Sequence, residues 1–348
     1  MKGKVLNFLQ KEIESEHIPG AVIHVSYQND VIMQEAIGNR AVFPNKAPME
    51  INTVFDLASL TKVVAALPVT LKLLESGRFH LDDAVSHFVP EFAKHGKESI
   101  KIRHLLTHTS GLPSHRRYYL DKLNMEEIFT RICDQELEAE IGSKVIYSDL
   151  GIITLFILIE IVLNEKFEDF VQRELFDPLE MKETVFNPAY DTARYAATEY
   201  SESLKGYKKG VVHDENATTM GGISGHAGLF STVHDLANYA SMIENNGLFR
   251  GKRILSEPAL TLARQNFTSF DAEYRGLGWI LKSEEMSSCG DFFSSSSYGH
   301  TGFTGTSIWF DPELKLHVIL LTNRVHFGRS DHILRIRPRL HNIIRTSL

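Results

Sequence analysis

The sequence predicts an α/β (α+β) fold: one antiparallel sheet flanked by helices, made by both ends of the chain, with a mainly α-helical domain inserted between them. Three observations predict it. Strand-forming runs lie near the start, further ones lie near the finish, and helical periodicity dominates the middle. Residues 20–27, Gly-Ala-Val-Ile-His-Val-Ser-Tyr, and 30–37, Asp-Val-Ile-Met-Gln-Glu-Ala-Ile, flank Gln28-Asn29-Asp30 as an antiparallel hairpin. Residues 277–281, 306–310 and 316–321 read as later strands, and 331–344 as a closing helix. Between them, 59–75, 102–106, 125–138, 150–163 and 167–175 carry helical patterns. Residues 1–57 and 205–348 are thus assigned to a discontinuous sheet domain and 58–204 to the helical one, with a cleft at their junction. Pro68 falls inside the strongest helical pattern and should kink it by removing a backbone hydrogen bond. The serine run 294–297 reads as a mobile loop before a strand.

Composition narrows the function classes. The 348 residues are 43% hydrophobic and 23% charged, which suits a globular enzyme with a large core. A net charge of −7 without a Lys/Arg run argues against nucleic acid or an anionic membrane as partner and favours a small molecule or peptide. Cys133 and Cys289, with no C-x-x-C pair, read as two unpaired thiols. The most apolar segment, 151–163, is shorter than the roughly 20 residues a transmembrane helix needs and contains Glu160, so it reads as a buried core helix. The first residues show no long apolar run or cleavage site. They predict a cytoplasmic protein as given, or an exported one if a signal has been removed.

The chemistry centres on Phe55-Asp56-Leu57-Ala58-Ser59-Leu60-Thr61-Lys62, where a strand-like stretch opens into the long apolar helix. At a helix start, the Ser59 N–H is a free donor of the first turn and the helix dipole favours developing negative charge. Lys62 lies one turn on, within reach of the hydroxyl, and a desolvated amine with a lowered pKa could accept its proton. Two further motifs follow in order: Tyr147-Ser148-Asp149 and His300-Thr301-Gly302. Elsewhere, His104 and His108 stand four apart with His115 downstream, yet without H-E-x-x-H and beside Leu105-Leu106 they read as core, not as metal ligands. G-x-S-x-G, G-x-x-x-x-G-K-[ST] and G-x-G-x-x-G are missing, against an α/β-hydrolase, a P-loop enzyme or a dinucleotide enzyme.

The three motifs together resemble those of the serine penicillin-recognising enzymes, the superfamily of class C β-lactamases, DD-peptidases and family VIII esterases. Residues 104–112 and 221–231 resemble the same group, and 212–217 resembles its penicillin-binding-protein-like members. The resemblance covers nearly the whole chain and implies a β-lactamase/transpeptidase-like fold needing no cofactor. Carried over, it makes Ser59 the nucleophile, with Lys62 and Tyr147 sharing the base and acid roles. A tyrosine suits that role where nearby cations, Lys62 above all, favour its phenolate. The N–H groups of Ser59 and Phe303 would form the oxyanion hole. Asp149, His300, Thr301 and Gly302 would meet the substrate, the last three from an edge strand. The 221–228 glycines read as a tight loop lining the cleft.

Two positions depart from the pattern. His300 replaces the usual Lys and Asp149 the usual Asn, which removes cationic and donor character. The resemblance therefore implies acyl transfer on a cell-wall peptide, as in a D-alanyl-D-alanine carboxypeptidase or muropeptide hydrolase. An esterase or weak β-lactamase is the second reading, and a penicillin-binding sensor without turnover is the third.

Overall fold

A computed structural model describes residues 1–189, 192–285 and 287–348. Both parts of the chain expected to supply strands enter one sheet. Across it the order is Ile280–Leu281, Tyr298–Thr301, Ser307–Asp311, Leu316–Thr322, Gly20–Tyr27, Asp30–Ala41 and Ala47–Pro48, antiparallel throughout. The ends meet in the ladder that sets Ala21 opposite Thr322 and Tyr27 opposite Leu316.

Residue alternation along these strands feeds two cores. Ala21, Ile23 and Val25, with Trp309, Val318 and Leu320, face the helices Lys2–Glu14 and His332–Arg345. Val22, Ile308, Phe310, Ile319 and Leu321 face the other way, into a larger core with Val63, Leu67, Ile153 and Phe156. Cover on both faces explains why the central strands read as apolar runs without polar alternation. The helix Asp149–Leu163 lies deep in the larger core, and among the described residues no helix is long and apolar enough to cross a membrane. Cys133 and Cys289 are both buried and free.

Several expectations are corrected. The run 59–75 is a 3-10 turn at Ala58–Leu60, a π-helix at Lys62–Ala66 and an α-helix at Leu67–Glu75. Pro68 therefore sits where the π-segment runs on into the α-segment, and Val63 O, five residues back, accepts the Tyr239 hydroxyl at 2.5 Å in place of the N–H that Pro68 lacks. The helix expected over 125–138 stops at Cys133, and 167–175 becomes α only over Phe167–Val171 before a π-helix, Gln172–Phe176. Of 277–281 only Ile280–Leu281 pairs as strand. Gly278 takes φ +71° and donates its N–H to Leu106 O at 2.9 Å, which turns the backbone out of the ladder. The serine run is tied down: Ser294 N and Oγ both donate to the buried Asp311 carboxylate, at 2.9 and 2.6 Å.

Candidate active site

Ser59 stands in the 3-10 turn, preceded by Ala58 at φ +46°, a left-handed conformation unfavourable for alanine. The buried Asp56 stabilises this corner. Its carboxylate accepts the N–H of Ala58 at 2.8 Å and that of His213 at 2.6 Å, fastening the serine turn to the 212–217 segment.

Lys62 is 2% exposed and its Nζ has three close acceptors: Ser59 Oγ at 3.0 Å, His226 O at 2.9 Å and Asp149 Oδ1 at 2.8 Å. Two are hydrogen-bond acceptors and the third is the carboxylate of an ion pair. Burial alone would push this amine down, but the Asp149 carboxylate, with Tyr147, outweighs it and holds Lys62 above the usual lysine value. The expectation of a lowered lysine pKa is thus reversed, because sequence could not show a carboxylate beside it. Asp149 answers in kind: against burial, Lys62 and then His115 hold its carboxyl well below the usual range. Its Oδ1 is paired with Lys62 and its Oδ2 lies 3.8 Å from His115 Nδ1, on the wall of the cleft.

Tyr147 is framed by residues 104–112. His108, at φ +57°, accepts the Ser148 N–H on Nδ1 at 3.1 Å and the Ile146 N–H on its carbonyl at 2.8 Å, while Ser148 Oγ donates to Pro113 O at 2.6 Å. The tyrosine ring packs between Lys62 Nζ, 5.1 Å from its centroid, and the Arg275 guanidinium, 5.3 Å away. His104 accepts the Lys101 N–H, so it and His108 each spend a ring nitrogen on backbone, and His108 lies beyond the end of helix Ile102–Leu106.

The third motif arrives on Tyr298–Thr301. This strand is second from the edge, but its outer neighbour pairs only with Tyr298 and Gly299, so His300 and Thr301 keep one open side. His300 departs from expectation: it is 1% exposed, 6.1 Å from the Tyr147 ring, with Nδ1 bonded to Thr301 O at 2.9 Å. Burial, then Arg275 and Lys62, drive its pKa well below 6.5, which keeps the ring neutral, in line with the cationic character that its replacement of the usual Lys removes; what differs is its burial. Beyond it, Thr304 Oγ1 donates to Asp56 O at 2.8 Å and Thr306 Oγ1 to Leu57 O at 3.0 Å. The turn carrying Phe303 is thereby sewn to the chain entering Ser59. Gly302 is needed there, since a Cβ would lie 2.1 Å from Thr306 Oγ1 and 2.4 Å from Leu57 O.

A cleft of about 260 Å³ opens over Ser59, Tyr147 and Asp149, with Phe303 and Arg329 on its opposite wall. Residues 58–149 and 213–329 therefore line it together. Sequence reasoning missed several groups in its walls. His226, from the glycine loop, bonds Asp214 at 3.1 Å and Ser224 at 2.8 Å while its carbonyl holds Lys62. His213 stacks on Phe303 at 5.6 Å and bonds Glu199 at 3.1 Å. Arg329 bridges Glu199 and Glu215, each at 2.8 Å, across the mouth. Residues 212–231 had stood out only by resemblance, because loop polar groups carry no periodicity that reveals which way they face.

A two-layered cleft with a serine–lysine pair at a helix start, a tyrosine over the lysine and a sheet strand alongside defines a class: the serine hydrolases of β-lactamase/transpeptidase fold. The family Beta-lactamase matches residues 5–342, and the chain belongs to it. It is 30% identical to an N-acetylmuramyl-L-alanine amidase of Bacillus subtilis (strain 168), over 93% of this chain and 81% of that one. It is 29% identical to a candidate D-alanyl-D-alanine carboxypeptidase of Escherichia coli (strain K12), over 90% and 80%. Among solved structures, EstCE1, a hydrolase with promiscuous acyltransferase activity, superposes with TM-score 0.80 at 23% identity, covering 98% of both chains. The octameric penicillin-binding protein homologue from Pyrococcus abyssi does so with TM-score 0.78 at 24% identity, over 98% of this chain and 77% of that one. These two likenesses establish the fold.

Proposed function

We propose that this serine hydrolase forms an acyl-enzyme on Ser59 at an amide or ester carbonyl, with a cell-wall peptide as its substrate class. The observation that carries the reading is the contact of Lys62 Nζ with Ser59 Oγ at 3.0 Å, secured by Asp149 at 2.8 Å, on the floor of the cleft.

An ammonium that donates to Ser59 Oγ cannot take the serine proton, so that role falls to Tyr147, next to the same ammonium. Ser59 Oγ attacks the carbonyl carbon as its proton passes to the phenolate oxygen of Tyr147, which becomes the phenol. The tetrahedral oxyanion is met by the N–H groups of Ser59 and Phe303. Tyr147 hands the proton to the leaving amine or alcohol as the bond breaks, and water repeats the sequence to release the acyl group as an acid. Lys62 holds the nucleophile in place and stabilises negative charge on either oxygen.

The amidase and carboxypeptidase relatives support a cell-wall peptide. The burial of His300 favours a particular kind of scissile bond. At the position where the resemblance expects a lysine stands a buried neutral histidine, the nearby Arg275 is itself buried and paired with Glu273, and Arg329 at the mouth is occupied by two glutamates. An internal amide, or an ester as a second reading, fits better than a bond beside a free carboxylate. The test compares a muramyl peptide, a D-Ala-D-Ala peptide, a nitrophenyl ester and a chromogenic cephalosporin, with intact-protein mass after each. The first should be cleaved fastest with transient acyl mass on Ser59, and the cephalosporin slowest. Persistent acyl mass without turnover would favour the sensor reading. No cleavage and no adduct by a folded enzyme would overturn acylation for these substrates.

A further inference from the structure

The peptide group between Gly302 and Phe303 has two working ends. Its N–H end is the proposed oxyanion donor. Its carbonyl end, Gly302 O, accepts a hydrogen bond from Arg337 Nη2 at 3.0 Å, and the same nitrogen reaches Thr306 O at 2.8 Å. Arg337 comes from the opposite side of the sheet, on helix His332–Arg345, and is 3% exposed. Its neighbour Arg324 donates from Nε to the next carbonyl, Phe303 O, at 3.0 Å. Two guanidinium groups therefore grip three carbonyls of one five-residue turn.

A buried guanidinium is costly without a carboxylate, and the charged group that acts on Arg337 is another cation, Arg324. Bracing a helix against a turn does not require such a charge, since a neutral donor would serve. What the charge adds is polarisation. A hydrogen bond at the carbonyl end of a peptide group draws electron density toward oxygen and makes its N–H a stronger donor. The other proposed donor is loaded likewise: Thr61 Oγ1 donates at 2.7 Å to Ala58 O, the carbonyl of the peptide group that carries the Ser59 N–H.

We propose that Arg337 is a positioning residue for the reaction at Ser59: from behind the sheet it aims and polarises the Gly302–Phe303 peptide group, so that the Phe303 N–H stabilises the oxyanion more strongly. This rests on the acylation reading above. Arg337 touches no substrate, so its effect falls on the rate of acylation and not on substrate affinity.

The experiment uses 4-nitrophenyl acetate, with Ser59→Ala as control, and follows acylation by stopped flow and the 13C-labelled acyl carbonyl stretch by infrared difference. Removing an oxyanion donor outright costs about 10²–10³-fold in kcat, so weakening one should cost on the order of tenfold. Arg337→Met should slow acylation by about that factor with KM within about twofold, and should move the carbonyl band to higher wavenumber. Arg337→Lys keeps a charge, but its ammonium ends one bond short of the position from which Nη2 reaches both carbonyls, so it should fall between Arg337→Met and the unaltered enzyme. If Arg337→Met does not fold, Arg337→Lys decides alone. A folded variant of either kind with unchanged acylation rate and unchanged band would reduce Arg337 to a structural brace and overturn the proposal. Failure of the unaltered enzyme to carry acyl mass on Ser59 would bring down the parent reading, and this proposal with it.

Discussion

Two cations are buried around the same reaction centre and are held in opposite ways. Lys62, on the helical side, sits against the Asp149 carboxylate, and its charge is reinforced. Arg337, behind the sheet, sits against carbonyl oxygens and a second arginine, and burial followed by Arg324 pushes it down to about 9. A charge neutralised at 2.8 Å is a good clamp and projects little field beyond its partners. A charge met only by dipoles keeps its field and imposes it on the turn. On the proposed mechanism the contrast separates two tasks, holding the nucleophile and stabilising what it makes, between the two walls of the cleft.

The strongest way to break this comparison is Lys62→Met. It strands the Asp149 carboxylate and should cost about 3–5 kcal/mol in urea unfolding and about 10²–10⁴-fold in kcat on a nitrophenyl ester. Adding Asp149→Leu should restore most of the stability and none of the rate, since a well-packed apolar pair replaces a buried ion pair at little cost. If the double variant stays as unstable as the single one, Asp149 is not the partner that matters.

Acid sharpens the contrast with buried groups that escape the problem by staying neutral. Burial, with His317, pushes His24 down to about 4, and burial pushes His341 there too. Both folded values lie below the unfolded one, so nothing is lost above about pH 6.5. As pH falls from there toward about 4, the unfolded chain binds protons that the folded one refuses, and stability drops by about 2 kcal/mol per histidine at pH 5. Urea midpoints between pH 7 and 5 test this, and His341→Gln should flatten the dependence.

Arg337→Met should cost less stability than Lys62→Met, about 1–3 kcal/mol, because it leaves carbonyls and not a carboxylate without a partner. A larger loss than for Lys62→Met would mean that Arg337 carries more of the fold than its contacts imply. Smallest of all, Phe303→Ala keeps the backbone N–H and should change stability by about 0.5 kcal/mol or less and kcat by less than about tenfold. A larger fall in kcat would assign the ring, and not its peptide group, to the chemistry.

What could be read beforehand depended on sequence separation. The helix Ile102–Leu106 was legible to the residue because its pattern is local, as was the spacing of Ser59 and Lys62. The strand over 277–281 was overcalled because buried apolar residues look alike in a ladder and in a loop that Gly278 turns aside. The Lys62–Asp149 pair was out of reach, since nothing local says which carboxylate meets a lysine across the fold. Arg337 did leave a trace. Ile333, Leu340 and Ile344 form the buried stripe of their helix, and Arg337 occupies the same stripe, four residues after the first and three before the second. A charge in an apolar stripe is a signal that periodicity alone smooths over.

The sheet that joins residues 21–27 to 316–322 also sets a timetable. During synthesis Ser59 and Lys62 emerge 240 residues or more before the turn at 302–306 and the helix His332–Arg345 that holds it from behind. At about 5–20 residues per second, on the order of ten seconds or more separate the serine from Thr306. Throughout that interval the nascent chain carries the proposed nucleophile without its proposed oxyanion site, and the central strand waits for a partner of very high sequence separation. On the proposed mechanism, hydrolytic competence is therefore gained only once residues 302–306 have emerged and paired, and a chain cut before them would be inert through missing hydrogen bonds to a serine it already has.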